Sequence, residues 1–327
     1  MSAPDPAVAQ VRSALRALLR SQECASYLES GQLCVAVSGG ADSLALTEAA
    51  AHIGGRAGMR VHALVVDHGL QAGSDEVART AARQATELGV SDATVLTATV
   101  RGSGGPEAAA RKARYTALRA AAPGANTLVL LGHTRDDQAE TVLLGLGRGS
   151  GPRSVAGMRP LDPPWARPLL DVPRSCTRAA CDALGVRPWE DPHNTDPRFT
   201  RVRLRSEVLP LLEDVLSGGV AGALARTAAQ LREDGDVLDA LAADLLSRAE
   251  AGSGAIDALE LGGAAAPVRR RALRGWLLEA GVAELSDAHL RSVDALIGAW
   301  RGQGAVWLPG GYSAARARGR LYVLPPE

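Results

Sequence analysis

The run Ser38-Gly39-Gly40-Ala41-Asp42-Ser43 lies between a short apolar stretch (residues 33–37) and a helical pattern. Glycines let a backbone approach phosphate oxygens closely, and a following helix N-terminus offers unpaired N–H groups at the positive end of its dipole. Ser38 and Ser43 can add hydroxyl donors. Asp42 repels phosphate unless a cation stands between them, which points to Mg2+ or to a substrate ammonium. The competing reading is a Gly-rich turn with Asp42 or Ser43 as helix N-cap. Five such fixed positions match by chance on the order of once in a thousand chains of this size. The strand–turn–helix setting is also the one a phosphate loop needs. Lys112 is the only lysine in the chain, and no Walker A sequence surrounds it, so nucleotide chemistry must use this other loop.

A second cluster is Gly132-His133-Thr134-Arg135-Asp136-Asp137-Gln138-Ala139-Glu140-Thr141. On a helix starting near Thr134, Asp137 and Glu140 are three apart and Thr141 is at i+4 from Asp137. With His133 at a strand end, acids and an imidazole face the nucleotide. The alternative is a Thr134–Asp137 capping box with Glu140 on a solvated face. Further segments carry polar chemistry: Val66-Asp67-His68-Gly69-Leu70, Arg111 and Arg114 within residues 107–115, and the dense Arg198, Arg201, Arg203 and Arg205.

These residues need elements to hold them. Apolar spacing predicts a helix over 7–20, strands over 33–37, 61–66, 93–100 and 127–131, and helices over 43–52, 74–88, 106–122 and about 136–146. Strands alternating with helices predict a parallel sheet covered on both faces. Ligands in such sheets bind beyond the carboxyl ends of the strands, where the residues named above fall. Residues 148–173, rich in Gly, Pro and Arg, read as loop. Helices follow over 174–184, from about 200, and over 220–250, 267–280 and 286–300, with short strand-like runs around Val306, Ala314 and Tyr322. The break Ser217-Gly218-Gly219 sets an expected boundary between domains 1–216 and 217–327.

The SGGADS run resembles the pyrophosphatase loop of the N-type ATP pyrophosphatases, which release pyrophosphate while adenylating an acceptor. The loop alone does not choose among them. The Asp67, His133 and Arg111–Arg114 segments, Arg148-Gly149-Ser150-Gly151, Arg167-Pro168-Leu169-Leu170 and Trp189-Glu190-Asp191-Pro192-His193-Asn194 together resemble the tRNA(Ile)-lysidine synthetase family. The resemblance implies an α/β, parallel-sheet, adenine-nucleotide-hydrolase-like N-terminal domain with a smaller, mostly helical C-terminal domain. It implies ATP and Mg2+ as cofactors, tRNA (an isoleucine acceptor with a CAU anticodon) and L-lysine as partners, and no membrane; a homodimer is left open. ATP would adenylate C2–O of a wobble cytidine, and the lysine amine would then displace AMP.

That chemistry needs a metal for the triphosphate, anions for the lysine ammonium and a base for its proton. Asp42 would serve the metal, with Ser38, Gly39, Gly40, Ala41, Asp42, Ser43, Asp67 and His68 around the nucleotide. His133, Asp137, Glu140 and Arg205 complete the catalytic set, and Arg111, Arg114 and Arg201 reach the RNA. The family pattern Arg-Asn-x-x-Arg departs here, since Val202 follows Arg201 and removes one hydrogen-bonding side chain. A sulfur-transferring tRNA enzyme of the same superfamily, a small-molecule ligase and a non-catalytic ATP-binding regulator are the rivals. The first is disfavoured because the chain has no C-x-x-C.

Composition sets the outer limits. The 327 residues are 46 % apolar with a formal net charge of zero, so nucleic acid must be met by local patches rather than a global field. The four cysteines, Cys24, Cys34, Cys176 and Cys181, fit no zinc spacing, and Cys34 in its apolar run reads as packing. With no signal-peptide pattern and no membrane-spanning stretch, a cytoplasmic location is expected. In the second domain, helix 267–280 places Ala272, Leu273, Trp276, Leu277 and Ala280 inward. Arg271 and Arg274, flanked by Arg270, then form an expected exposed basic stripe for an RNA backbone, or else a plain solvated face.

Overall fold

The computed structural model describes residues 4–69, 73–98, 106–124, 126–149 and 151–326. Leu70, Thr99, Val100 and Ser150 of the expected segments lie outside these, as do the side chains of Glu107 and Ala108.

The first compact unit comprises Met1–Leu144 and Gly157–Thr227. Among its described residues, six strands form one sheet: β1 (Gln32–Val37), β2 (Arg60–Asp67), β3 (Asp92–Thr97), β4 (Val129–Leu130), β5 (Leu161–Asp162) and β6 (Trp165–Ala166), in the order β3-β2-β1-β4-β6-β5. All pairs are parallel except β5 against β6. β1 buries Leu33, Cys34, Val35 and Val37, the near-continuous apolar pattern of a strand covered on both faces. The longer helices among the described residues are α1 (Pro6–Leu19), α2 (Ala41–Arg56), α3 (Ser74–Glu87), α4 (Pro106–Ala121), α5 (Arg135–Arg148) and α6 (Arg174–Leu184). One core of Leu15, Leu33, Val35, Leu44, Leu46 and Leu169 lies on one side of the sheet, and a second of Cys34, Leu64, Leu118, Val129 and Trp165 on the other.

Chain order reverses at β1: the next strand, β2, lies on one side of it and β4 on the other. That makes the crevice beyond the ends of β1 and β4 the topological switch point, where open α/β sheets bind ligands.

Two expectations change. The stretch 148–173 is not all loop, because it contains a short helix (Pro152–Val155) and the strands β5 and β6. β5 and β6 are two residues long and show no period, and their pairing reveals them: the Val129 and Leu131 N–H groups of the neighbouring strand end donate to Pro164 O and Ala166 O at 2.7 and 2.8 Å. The helix from Thr200 is interrupted. It runs as α-helix over Thr200–Arg203, widens to a π-helical turn over Leu204–Val208 and resumes over Leu209–Val215. No single helix among the described residues is long and apolar enough to cross a membrane.

The second unit comprises Gly145–Ala156 and Ala228–Glu327. The division therefore falls inside the long helix α7 (Val220–Ala249) rather than at Ser217–Gly219. That triplet is a real turn, with φ of 62°, 89° and 77°. The Glu213 carboxylate bridges it by accepting the Val220 and Ala221 N–H groups at 3.1 and 3.0 Å, which ties the start of α7 to the first unit. With α8 (Ala266–Glu279) and α9 (Asp287–Gly298) goes a four-stranded antiparallel sheet: β7 (Ile256–Asp257), β8 (Val306–Trp307), β9 (Ser313–Ala317) and β10 (Arg320–Leu324), in the order β7-β10-β9-β8. Its core gathers Leu245, Ile256, Leu261, Leu273, Trp276, Leu277, Val293, Leu296 and Leu321.

The expected exposed stripe on α8 is corrected. Ala272, Leu273, Trp276 and Leu277 do face inward, but Ala280 is half-buried, and so are Arg270, Arg271 and Arg274. The Arg271 side chain is 16 % exposed and pairs with Asp239 of α7 at 2.5 Å. Burial, reinforced by Arg153, pushes the Arg274 guanidinium below its ordinary range. A single-helix projection divides residues into inward and outward faces, whereas α7 covers part of the face that projection leaves open.

Candidate active site

The loop after β1 turns on Gly39, whose φ of +81° favours glycine. A Cβ there would meet those of Ala81 and Trp189 at 3.4 and 3.6 Å, ordinary contact, so the backbone conformation rather than space is what calls for glycine. Gly40 is the N-cap of α2, and no side chain caps the helix, so its first amides point into the crevice free for an anion. Ser43 Oγ donates to Gly40 O at 2.9 Å and lies 3.3 Å from Ser38 Oγ, which holds the loop closed on itself. The Trp189 N–H donates to Gly39 O at 2.9 Å and pins the Trp189–Asn194 segment to the loop.

β4 delivers the second cluster beside the first. A Cβ on Gly132 would sit 3.0 Å from the carbonyl of Asp42, so glycine is what allows the two strand ends to close together. Asp137 then serves both readings that its spacing allowed. Its Oδ2 accepts the Thr134 N–H and hydroxyl at 2.7 and 2.8 Å, as a cap, while Oδ1 takes Arg174 at 2.6 Å. Glu140 is not on a solvated face. It is fully buried and ringed by guanidinium groups: Arg205 at 2.8 Å, Arg201 at 3.6 Å and Arg174 at 3.7 Å. The π-helical turn carries Arg205 while the preceding α-turn carries Arg201, and both reach α5. Arg203 and Arg198 point away, paired with Glu207 and Asp196. Val202 is buried, so the side chain standing in place of the family's Asn packs in the interior.

Arg174 is the residue the sequence reading missed. Its guanidinium spans Asp42 (3.4 Å), Asp137 and Glu140, and its backbone N–H donates to Asp136 at 2.8 Å. Thr177, one turn on, donates its hydroxyl to Asp42. A signal was available: a cation in the first turn of a helix opposes the dipole, and so needs acids nearby.

Burial raises the Asp42 carboxyl above its ordinary range, Thr177 and Arg174 offset part of this, and Asp137 adds to it. Burial also works against charge on Asp137, but Arg174 and the Thr134 N–H hold that carboxyl below the usual range. His133 is pushed down to about 3, first by burial and then by Arg167, Arg114 and Arg111, with Asp137 pulling the other way. Its Nδ1 has no hydrogen-bond partner, and neither do His68 Nδ1 and Arg167 Nε. Arg111 and Arg114 flank Tyr115, with guanidinium carbons 4.9 and 5.7 Å from the ring centroid. Asp67 is spent locally, accepting the Gly69 N–H at 2.9 Å. The crevice thus has an acidic side (Asp42, Asp137, Glu140) threaded by arginines and a basic side (Arg111, Arg114, Arg167) around His133.

A glycine loop at a helix N-terminus, set at the switch point of this sheet, is the arrangement of a phosphate-binding α/β domain, and the comparisons make that domain a PP-loop domain. The description "PP-loop domain" matches residues 9–212, and "TilS substrate binding domain" matches residues 257–322. The tRNA(Ile)-lysidine synthase of Rhodococcus jostii is 57 % identical over 98 % of this chain and 96 % of its own length. That of Mycobacterium tuberculosis is 57 % identical over 92 % and 90 %. The chain belongs to the tRNA(Ile)-lysidine synthase family. The U34-tRNA thiolase NcsA from Methanococcus maripaludis, solved with its [4Fe-4S] cluster, shares the fold (TM-score 0.57, covering 69 % of this chain and 80 % of that one) at 17 % identity.

Proposed function

We propose that Asp42, Asp137, Glu140, Arg174 and Arg205 form the reaction centre in which this chain, an ATP-dependent ligase, makes lysidine at the wobble cytidine of tRNA(Ile). The observation that carries these assignments is the gathering of three carboxylates from two helices, α2 and α5, around one guanidinium, directly beside the phosphate loop.

ATP lies with its phosphates on the free amides of α2 and the hydroxyls of Ser38 and Ser43. Mg2+ would be held by Asp42, a carboxylate in the first turn of α2 beside the loop that is shared at present with Arg174 and Thr177, because one carboxylate plus phosphate oxygens is a usual set of partners for this ion. When bound, the ion neutralises charge on the triphosphate. The cytidine O2 attacks the α-phosphorus and pyrophosphate leaves. The lysine Nζ then attacks C2, the C2–O bond breaks, and AMP departs with that oxygen. A free lysine ammonium has a pKa of about 10.4, so it must give up a proton before attack and another as the C–N bond forms. Asp137 and Asp42 attract the ammonium, and Glu140 holds Arg174, Arg201 and Arg205 in register. His133 is held neutral by burial and by Arg167, Arg114 and Arg111, and its Nδ1 is buried without a hydrogen-bond partner, so it gives the site an uncharged imidazole rather than a base.

Thiolation draws support from the shared fold alone. The cysteines are buried, with the Cys34 and Cys181 thiols pushed up to about 12 and about 11 by burial. Among the described residues, no group of three or more His, Cys, Asp or Glu could hold a metal. The test is pyrophosphate release with each of the twenty amino acids, with and without tRNA. Release should need lysine and tRNA together. Turnover with tRNA and a sulfur donor in the absence of lysine would overturn the reading.

A further inference from the structure

We infer that Arg167 is a phosphate-binding residue, which closes with Arg111 and Arg114 a basic wall of the crevice that has no acid to balance it. The phosphate is either the one AMP carries or a phosphodiester of the RNA, and naming these two sources rests on the family reading.

The wall lies on one face of the first unit's sheet. Leu64 of β2, Val129 and Leu131 at the β4 strand end, Trp165 of β6 and Leu118 of α4 share one core. Side chains alternate along a strand, so Arg167, two residues beyond Trp165, leaves the sheet on that same face. His133 stands two beyond Leu131, whose N–H donates to Ala166 O at 2.8 Å and so ties the two strand ends together. On α4, Arg111 and Arg114 flank Tyr115, which packs edge-on against Trp165 with ring centroids 4.7 Å apart. The helix α2 packs on the opposite face, with Leu33 and Val35. The phosphates at its N-terminus are therefore not the ones this wall meets.

Counting charges shows what is missing. On the acidic side, Asp42, Asp137 and Glu140 face Arg174, Arg201 and Arg205, three against three. On the basic side, Arg111 and Arg114 pair with no carboxylate among the described residues, and their neighbour is Tyr115. Burial pushes the Arg114 guanidinium below its ordinary range, with only Tyr115 pulling the other way. Arg167 is 7 % exposed, and its Nη1 donates to Arg159 O at 3.0 Å, which fixes the group in place. Its other edge is unsatisfied: Nε is buried without a partner, and Nη2 comes only within 3.9 Å of the exposed Asp162 carboxylate. That edge presents two parallel N–H groups, the geometry that takes two oxygens of a phosphate. A buried guanidinium with an empty donor edge is costly until an anion fills it.

His133 and His68 each add a buried Nδ1 without a partner. A neutral imidazole can donate from that atom without adding charge. The same three arginines act together on His133, Arg167 foremost among them, and Arg114 also acts on His68. The lysine carboxylate is a poorer occupant, because its α-ammonium would enter a wall already in surplus of positive charge.

Calorimetry on the full chain measures AMP, adenosine and lysine, and a titration measures a tRNA(Ile) transcript at several salt concentrations. The variants are Arg167→Gln and, at an exposed position whose change spares the core, Arg111→Gln. Losing a charged bond to phosphate should weaken that ligand about 10- to 150-fold in Arg167→Gln. If the phosphate is that of AMP, AMP weakens while adenosine does not. If it belongs to the RNA, tRNA affinity falls and its log–log salt slope flattens by roughly 0.7–0.9, with AMP unchanged. Arg111→Gln should move the same ligand in the same direction. Unchanged AMP and tRNA binding in both variants would overturn the inference. Equal losses for AMP and adenosine would also overturn it, since Arg167 would then only support the fold, and so would a loss confined to lysine. Failure of the family reading shows separately, as wild type releasing no pyrophosphate with lysine and saturating tRNA, because these affinities do not depend on turnover.

Discussion

Glu140→Gln isolates what the buried carboxylate does, because the amide keeps its shape and removes its charge. Glu140 is fully buried and meets Arg205 at 2.8 and 3.3 Å, Arg201 at 3.6 Å and Arg174 at 3.7 Å. Breaking a buried ion pair costs about 3–5 kcal/mol. Arg205 and Arg201 are each about a third exposed and can turn toward water, so the expected loss is about 2–3 kcal/mol. In a unit of this size that lowers Tm by roughly 4–12 °C. A thermal double-mutant cycle with Arg205→Ala should return a coupling of about 1–3 kcal/mol. Function should suffer beyond stability, since the unheld arginines no longer frame Asp137: KM for lysine should rise while ATP binding is nearly unchanged. A Tm within about 1 °C of wild type, against the shift expected above, and a coupling near zero would refute the cluster as drawn. A lower Tm with an unchanged lysine KM would reduce Glu140 to a structural role.

Two further outcomes follow from the same geometry. Asp42→Asn should abolish turnover, losing several kcal/mol of transition-state stabilisation, without lowering Tm, because burial already disfavours the charged carboxylate; near-normal turnover, or a Tm several degrees lower, would contradict this. His133 should not titrate by NMR between pH 5 and 8, since its folded pKa is held near 3. The unfolded chain binds that proton near 6.5, so stability present above pH 6.5 is lost as pH falls, by about 2 kcal/mol down to pH 5 relative to His133→Asn. An imidazole resonance of His133 titrating near 6.5 would show that assignment to be wrong.

Most of the first unit was legible because its signals are local. β1, α2 and α6 follow from apolar runs, glycines and helical period, and the predicted helix over 174–184 coincides with the observed Arg174–Leu184. β5, β6 and β7 were not legible, since each is two residues long and lacks the longer apolar run that marked the equally short β4 within 127–131. In the candidate site, Asp42, Asp137, Glu140, Arg201 and Arg205 were all named from the sequence, and the fold draws them together.

By itself the sequence determined the loop, the alternation of strands and helices, and the residue types at the strand ends, because glycine conformations, hydrophobic period and helix spacing act over a few neighbouring residues. Only the tertiary structure decided which charges meet. Arg174, 132 residues from Asp42, became the hub of three acids; Glu140, named for the site but with a solvated face as the alternative, proved fully buried among arginines; and the α8 arginines lost their open face to Asp239 and α7. The strength and partner of a charge depend on distance and burial in three dimensions, and neither can be read from spacing along one helix.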